Sequence, residues 1–176
     1  MKGLFLEELN KLKNEARAIG HKIADDANFM NEFVRFYDAN ELTYVTENGH
    51  VMEIIMCWIL GMIQAGLEKG GVRFDIEASA KLDAKKIDVK VNRARIQLKY
   101  AWSDAKIREF QDELRYRNIH VIGIKKFGVD PDYDIIDSLI KIFELAGLSK
   151  SQIKKTIDDN PGIDAAEELW VWYTAH

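Results

Sequence analysis

The chain has 176 residues, 47% of them hydrophobic and 31% charged, with two prolines and a formal net charge of -4. That size supports one well-packed core with a helical appendage, and the negative balance excludes a protein that coats nucleic acid nonspecifically while leaving room for a local basic face. The single cysteine, Cys57, excludes an internal disulfide, and with no basic leader ahead of an apolar segment the expectation is an intracellular, cytoplasmic protein with no membrane partner.

Residues 1–45 form an expected N-terminal helical segment packed on the core. Leu4, Phe5, Leu9, Leu12, Ala16 and Ile19, then Ile23, Phe29, Met30, Phe33 and Tyr37, recur at spacings of three and four, which predicts two amphipathic helices. Their polar faces carry Lys11, Lys13, Arg17, Lys22 and Arg35, read as solvated surface.

An α/β core is expected over residues 46–130. Thr46 to Lys69 reads as one long helix ended by Gly70-Gly71, apolar nearly all the way round. The run from Val51 to Leu67 contains Glu53 and Gln64 and lacks basic flanks, so a buried helix is favoured over a membrane span. Burying Glu53 is costly unless it pairs with a cation or lies at a wet end of the helix. Glu47, at the expected N-terminus, suits the helix dipole. His50 lies one turn before Glu53 and is read as a packing or helix-end residue.

Val72 to Ala78 alternates like a half-buried strand, and Lys86 to Tyr100 reads as two strands joined by a turn at Asn92-Arg93. Alternation puts Lys86, Asp88 and Lys90 on one face with Arg95, Gln97 and Lys99, and Ile87, Val89, Val91, Ile96, Leu98 and Tyr100 on the other. Pairing Val91 with Ala94 sets Asp88 opposite Gln97 at roughly 5 Å between Cβ atoms, with Lys99 the diagonal neighbour at roughly 7 Å. An acid, an amide oxygen and an ammonium converge, as a Mg²⁺-dependent phosphodiester hydrolase requires. Ser103 or Asp104 then caps a helix carrying Ile107, Phe110 and Leu114, and Ile119 to Ile124 reads as a buried strand in a right-handed parallel crossover.

Residues 131–176 form an expected C-terminal helical segment, with helices over Tyr133–Ala146, Ser149–Asp158 and Ala165–Tyr173. Trp170, Trp172 and Tyr173 either seal the core or form a contact surface. The whole reads as a single globular domain. No phosphate-binding glycine loop and no Cys/His metal spacing occur, and the four histidines are scattered.

An acid on one strand, followed on the next by an acid or amide, one residue and a lysine, resembles the pattern of the PD-(D/E)XK nuclease superfamily. Asp88 takes the first position and Gln97-Leu98-Lys99 the second, as Gln-x-Lys, with Ile87 in place of the usual proline and Gln97 in place of a carboxylate. The resemblance covers residues 47 to about 126. It implies a restriction-endonuclease-like core ordered helix, three strands, helix, strand, with added N- and C-terminal helices. It also implies a divalent metal, Mg²⁺ or Mn²⁺, held by Asp88, Gln97, Glu53 and the Leu98 carbonyl. Lys99 would orient the nucleophile or stabilise charge on the phosphorane. The expected activity is DNA endonuclease, with Glu53, Asp88, Gln97 and Lys99 catalytic. Lys86, Lys90, Arg93, Arg95, Arg108 and Arg115 are the expected DNA contacts, with Lys85, Arg117, Lys125 and Lys126 nearby. A homodimer is expected, because cutting both strands needs two sites. The competing expectation is a non-enzymatic member of the same fold that binds DNA or protein.

Overall fold

The structure, a computed structural model, describes residues 4–175. Helix α1 (Leu6–Lys22) buries Leu9, Asn10, Lys13, Ala16 and Gly20, one stripe at steps of three and four, and α2 (Phe29–Ala39) buries Phe33, Phe36 and Tyr37. Between α2 and the next helix lies a single 3-10 turn, Leu42–Tyr44.

Helix α3 (Asn48–Lys69) is apolar on every side because it has neighbours on every side: α1, α7, α8 and the sheet all pack against it. It is long and apolar enough to cross a membrane, yet 89% of its most apolar 18-residue window is buried inside the protein. The fully enclosed Ile54, Ile55 and Ile59 each contribute about 1.5–3 kcal/mol of burial.

Strands β1 (Ile76–Glu77), β2 (Val89–Val91), β3 (Ala94–Tyr100) and β4 (Ile119–Ile124) form one mixed sheet in that spatial order. β1, β2 and β3 run antiparallel to their neighbours, while β3 and β4 are parallel and joined through α5 (Asp104–Arg115). The expected α/β class therefore holds. Val89, Val91, Ile96, Leu98, Ile122 and Ile124 face the α3 core. Ile87, Leu114, Ile119 and Val121 form a smaller cluster under α5, with Phe110 against it.

The C-terminal helices are α6 (Ile135–Leu145), α7 (Lys150–Asp159) and α8 (Pro161–Thr174). α8 begins four residues before the expected Ala165. Asn160 caps it by accepting from the Gly162 N–H, and Pro161 sits in the first turn, where its missing N–H costs nothing. Trp170 is 1% exposed and donates to the Lys125 carbonyl at 2.9 Å, while Tyr173 packs on Tyr37 and Tyr100. Of the two expectations for these aromatics, sealing the core is the one observed.

Two strands are shorter than expected. Residues 72–75 do not pair as a strand, because side chains claim their backbone: Gln64 donates to the Phe74 carbonyl at 2.9 Å, and Asn92 accepts from the Asp75 N–H at 2.9 Å. β2 starts at Val89 rather than Lys86. An unforeseen helix α4 (Ala80–Asp83), capped by Ser79, precedes it, and Lys86 turns the chain at a positive φ of 67°. Alternation consequently fails at Ile87, which joins the α5-side cluster instead of lying with Val89.

Candidate active site

The hairpin adopts the expected register, Val91 with Ala94, Lys90 with Arg95 and Val89 with Ile96, and the paired ladder ends there, one position short of the expected Asp88–Gln97 pair. Its turn is fixed by Asn92, at φ 53°, whose amide also donates to the Ala146 carbonyl at 2.8 Å. Asp88 lies in the bend that enters β2. Its backbone N–H donates to the Ile96 carbonyl at 2.8 Å, and its Oδ2 accepts from the Leu98 N–H at 2.7 Å. The carboxylate thus takes the place of a strand partner. N–H and C=O of one strand residue point to the same edge, so the Leu98 carbonyl is directed toward Asp88 as well.

Helix α3 brings Glu53, 6% exposed, against Asp88, and α4 adds Asp83. Glu53, Asp83 and Asp88 each offer an oxygen within 4.8 Å of the others. The sequence reading missed Asp83, since it lies in the unforeseen α4. The Ser79-Ala80-Lys81-Leu82 run, a cap followed by helix formers, was the available signal.

The larger correction concerns Lys13. Expected on a solvated face, its side chain is 0% exposed and its Nζ lies 3.1 Å from Asp83 Oδ2, 3.0 Å from the Asp88 carbonyl and 3.8 Å from Glu53 Oε1. Two glycines bring it there. A Cβ on Gly20 would run into the Trp58 carbonyl, and one on Gly61 into the Arg17 carbonyl, so α1 and α3 cross backbone to backbone. Lys13, two turns before Gly20 on the same stripe, is thereby held over the acids. Asn10 joins the network, donating to Asp83 Oδ2 at 2.9 Å.

Burial raises the Glu53 carboxyl from its ordinary 4.5 to about 10, aided by its hydrogen bond with Asp88 and the negative charges of Asp88 and Asp83, against the opposing pull of Lys13. Burial also raises Asp88, while Glu53, Lys13 and the Leu98 N–H act to lower it. The hydrogen bond between the two carboxyls acts to raise Glu53 and to lower Asp88, so a proton shared between them sits on Glu53. Lys13 loses hydration to burial, but Glu53, Asp88, Cys57 and Asp83 more than compensate and raise its pKa. Its closest carboxylate contact is Asp83 Oδ2.

The opposite side of the acids is open. Glu53, Asp83, Asp88, Gln97, Leu98 and Lys99 line a cavity of about 260 Å³, whose rim includes Glu47, Gly49, His50, Tyr100 and Trp102. Gln97 is 8% exposed, yet its Oε1 is buried without a hydrogen-bond partner, and His50 Nδ1 is in the same condition. His50 Nε2 faces Glu47 Oε2 at 3.1 Å. Lys99 is half-buried, its Nζ 4.5 Å from the Trp102 ring centre and 4.7 Å from that of Phe110. Glu53, Asp88, Gln97, Leu98 and Lys99, proposed from the sequence, therefore share one cavity.

None of Lys86, Lys90, Arg93, Arg95, Arg108 and Arg115 lines that cavity. Arg93, Arg95 and Arg108 are exposed and Lys90 is half-buried. Lys86 approaches Glu113 at 3.7 Å, and Arg115 pairs with Asp112 in a separate recess along β4. No protein-family model, curated protein or solved structure matches this chain.

Proposed function

We propose that the protein is a divalent-metal-dependent DNA endonuclease built on a restriction-endonuclease-like core. One observation carries the reading. The only side-chain amide oxygen of the cavity, Gln97 Oε1, is buried and unpartnered among the described residues, beside the clustered carboxyls of Glu53, Asp83 and Asp88. That donor set, all oxygen and partly open to water, fits Mg²⁺ or Mn²⁺.

Asp88, Gln97 Oε1, the Leu98 carbonyl and Glu53 would hold the ion, with Asp83 behind them. When bound, such an ion supplies charge against the scissile phosphate and a water of lowered pKa. The remaining work belongs to the chain. The Leu98 N–H locks the Asp88 carboxylate in one orientation. To serve as a ligand, Glu53 would release its proton to solvent. Lys99 holds its ammonium at the same cavity, where it stabilises negative charge gathering on the phosphate. Trp102 and Phe110 hold the Lys99 side chain, so little entropy is lost in presenting it. The exposed Arg93, Arg95 and Arg108, with Lys90, would position a duplex through its phosphates, and cleavage of both strands would take two copies of the chain.

A second reading is favoured by Lys13: with a lysine already neutralising the acids and a glutamine in place of a carboxylate, the fold would serve DNA or protein binding without catalysis. Cleavage of supercoiled, linear and branched DNA in Mg²⁺ and Mn²⁺ separates the two. The nuclease reading expects products from the native chain and none from Asp88→Ala or Lys99→Ala variants that remain folded. Cleavage surviving both substitutions, or absent throughout, would leave the binding role.

A further inference from the structure

Two-metal phosphodiester hydrolases place a second divalent ion about 3.5–4 Å from the first to stabilise the leaving oxygen. In this protein the far side of the acid cluster is filled instead. Lys13 Nζ lies 3.1 Å from Asp83 Oδ2, 3.0 Å from the Asp88 carbonyl and 3.8 Å from Glu53 Oε1, with its side chain 0% exposed. Those three residues are the ones whose carboxylate oxygens approach within 4.8 Å of one another. The ammonium touches oxygens as a bound cation would, and it cannot leave, because Gly20 and Gly61 press α1 onto α3. On the other side of the same carboxylates, Gln97 Oε1, in a side chain 8% exposed, has no donor at all. One side of the cluster thus carries a built-in cation and the other an unmet acceptor.

We propose that Lys13 is a resident cation occupying the position of a second divalent ion, so that the cluster takes up one further ion when Lys13 is removed. Only the ion on the Gln97 side depends on the nuclease reading; the Lys13 position does not. Like charges this close must be met by something, and with the ammonium gone Asp83, Glu53 and the Asp88 carbonyl form a hard-oxygen site of their own.

The test counts Mn²⁺ ions bound to the full chain, by the free Mn²⁺ resonance signal, in native protein, Lys13→Met and Lys13→Arg. Native protein is expected to bind one ion in this cluster, Lys13→Met two, and Lys13→Arg, which keeps the charge, one. Equal counts for native and Lys13→Met would overturn the proposal. A native count of zero would remove the nuclease reading and leave this inference standing, provided Lys13→Met gains an ion. Where Lys13→Met is too unstable to count, its unfolding temperature is the readout. Mn²⁺ at about 100 times its dissociation constant should raise it by about 5–10 °C more than for native protein, or restore a cooperative transition that is otherwise missing. No extra rise, or no recovery, would refute the assignment.

Discussion

The two sides of the acid cluster are built from the same carboxyls and differ in what meets them. Toward α1 they find an ammonium with no exposed surface and an amide hydrogen bond from Asn10, a network in which the carboxylates are met by donors, although Asn10 Oδ1 itself is unpartnered. Toward the cavity they find Gln97 Oε1, a buried acceptor with no donor, an unpartnered His50 Nδ1 and a half-buried Lys99. A network of this kind makes a fold specific, whereas unmet buried acceptors are tolerated where a ligand completes them. The contrast separates what the site needs in order to fold from what it needs in order to act.

Breaking the open side should give the largest effect. Asp88→Asn is expected to lower cleavage on the order of a thousandfold, measured as single-turnover nicking of plasmid, with the fold retained, since the amide still accepts from the Leu98 N–H. Breaking the closed side should do the reverse in kind. Removing one partner of a buried charge network costs about 3–5 kcal/mol, so Lys13→Ala without added metal should lose that much in urea unfolding. A loss below about 1 kcal/mol would mean the network is no more than a surface-type pair.

Gly20→Ala comes next. The new methyl meets the Trp58 carbonyl, which is backbone and cannot swing away, so a loss of about 1–3 kcal/mol is expected, with Lys13 displaced from the acids. The pH response then separates the two sides by pH range. Glu53 holds its proton more tightly when folded, so its contribution is complete below its ordinary 4.5 and fades as pH rises toward about 10. Metal-free stability should therefore decline over that range, Glu53→Gln should flatten the decline, and a bound divalent ion should do the same while releasing a proton on binding. Lys13 does not obscure this, because its own contribution is lost only above its ordinary 10.5.

The smallest effects belong to the basic surface. Replacing Arg95, exposed on β3, should reduce the slope of DNA affinity against salt by about 0.9 if it touches a phosphate. Arg115→Ala should leave that slope unchanged, since its charge is engaged by Asp112 beside a different recess.

Much of the candidate site was legible because its signals are local. A two-residue turn at Asn92-Arg93 fixes the register, and period-two alternation along β3 carries Gln97 and Lys99 to the face away from Ile96 and Leu98. Glu53 was legible as an acid that an apolar helix has no reason to keep. Lys13 was not, even though it interrupts a buried stripe running Leu9, Ala16, Gly20, because on sequence a lysine at that spacing reads as the wet edge of a helix. Nor was the ending of alternation at Asp88, which follows from α4 and the turn at Lys86 rather than from the strand itself.

The amino-acid sequence by itself determined the helices with apolar stripes, the hairpin and its register, the parallel crossover through α5, and the acid, amide and lysine that share one end of the sheet. All of these follow from periodicity, capping and turn chemistry within short spans of chain. Tertiary structure alone decided which charges are buried together. Lys13 and Asp83 lie 70 residues apart and meet only because two glycines let α1 lie directly on α3. No local pattern records that approach, since what brings the charges together is the removal of water and of space between elements distant along the chain.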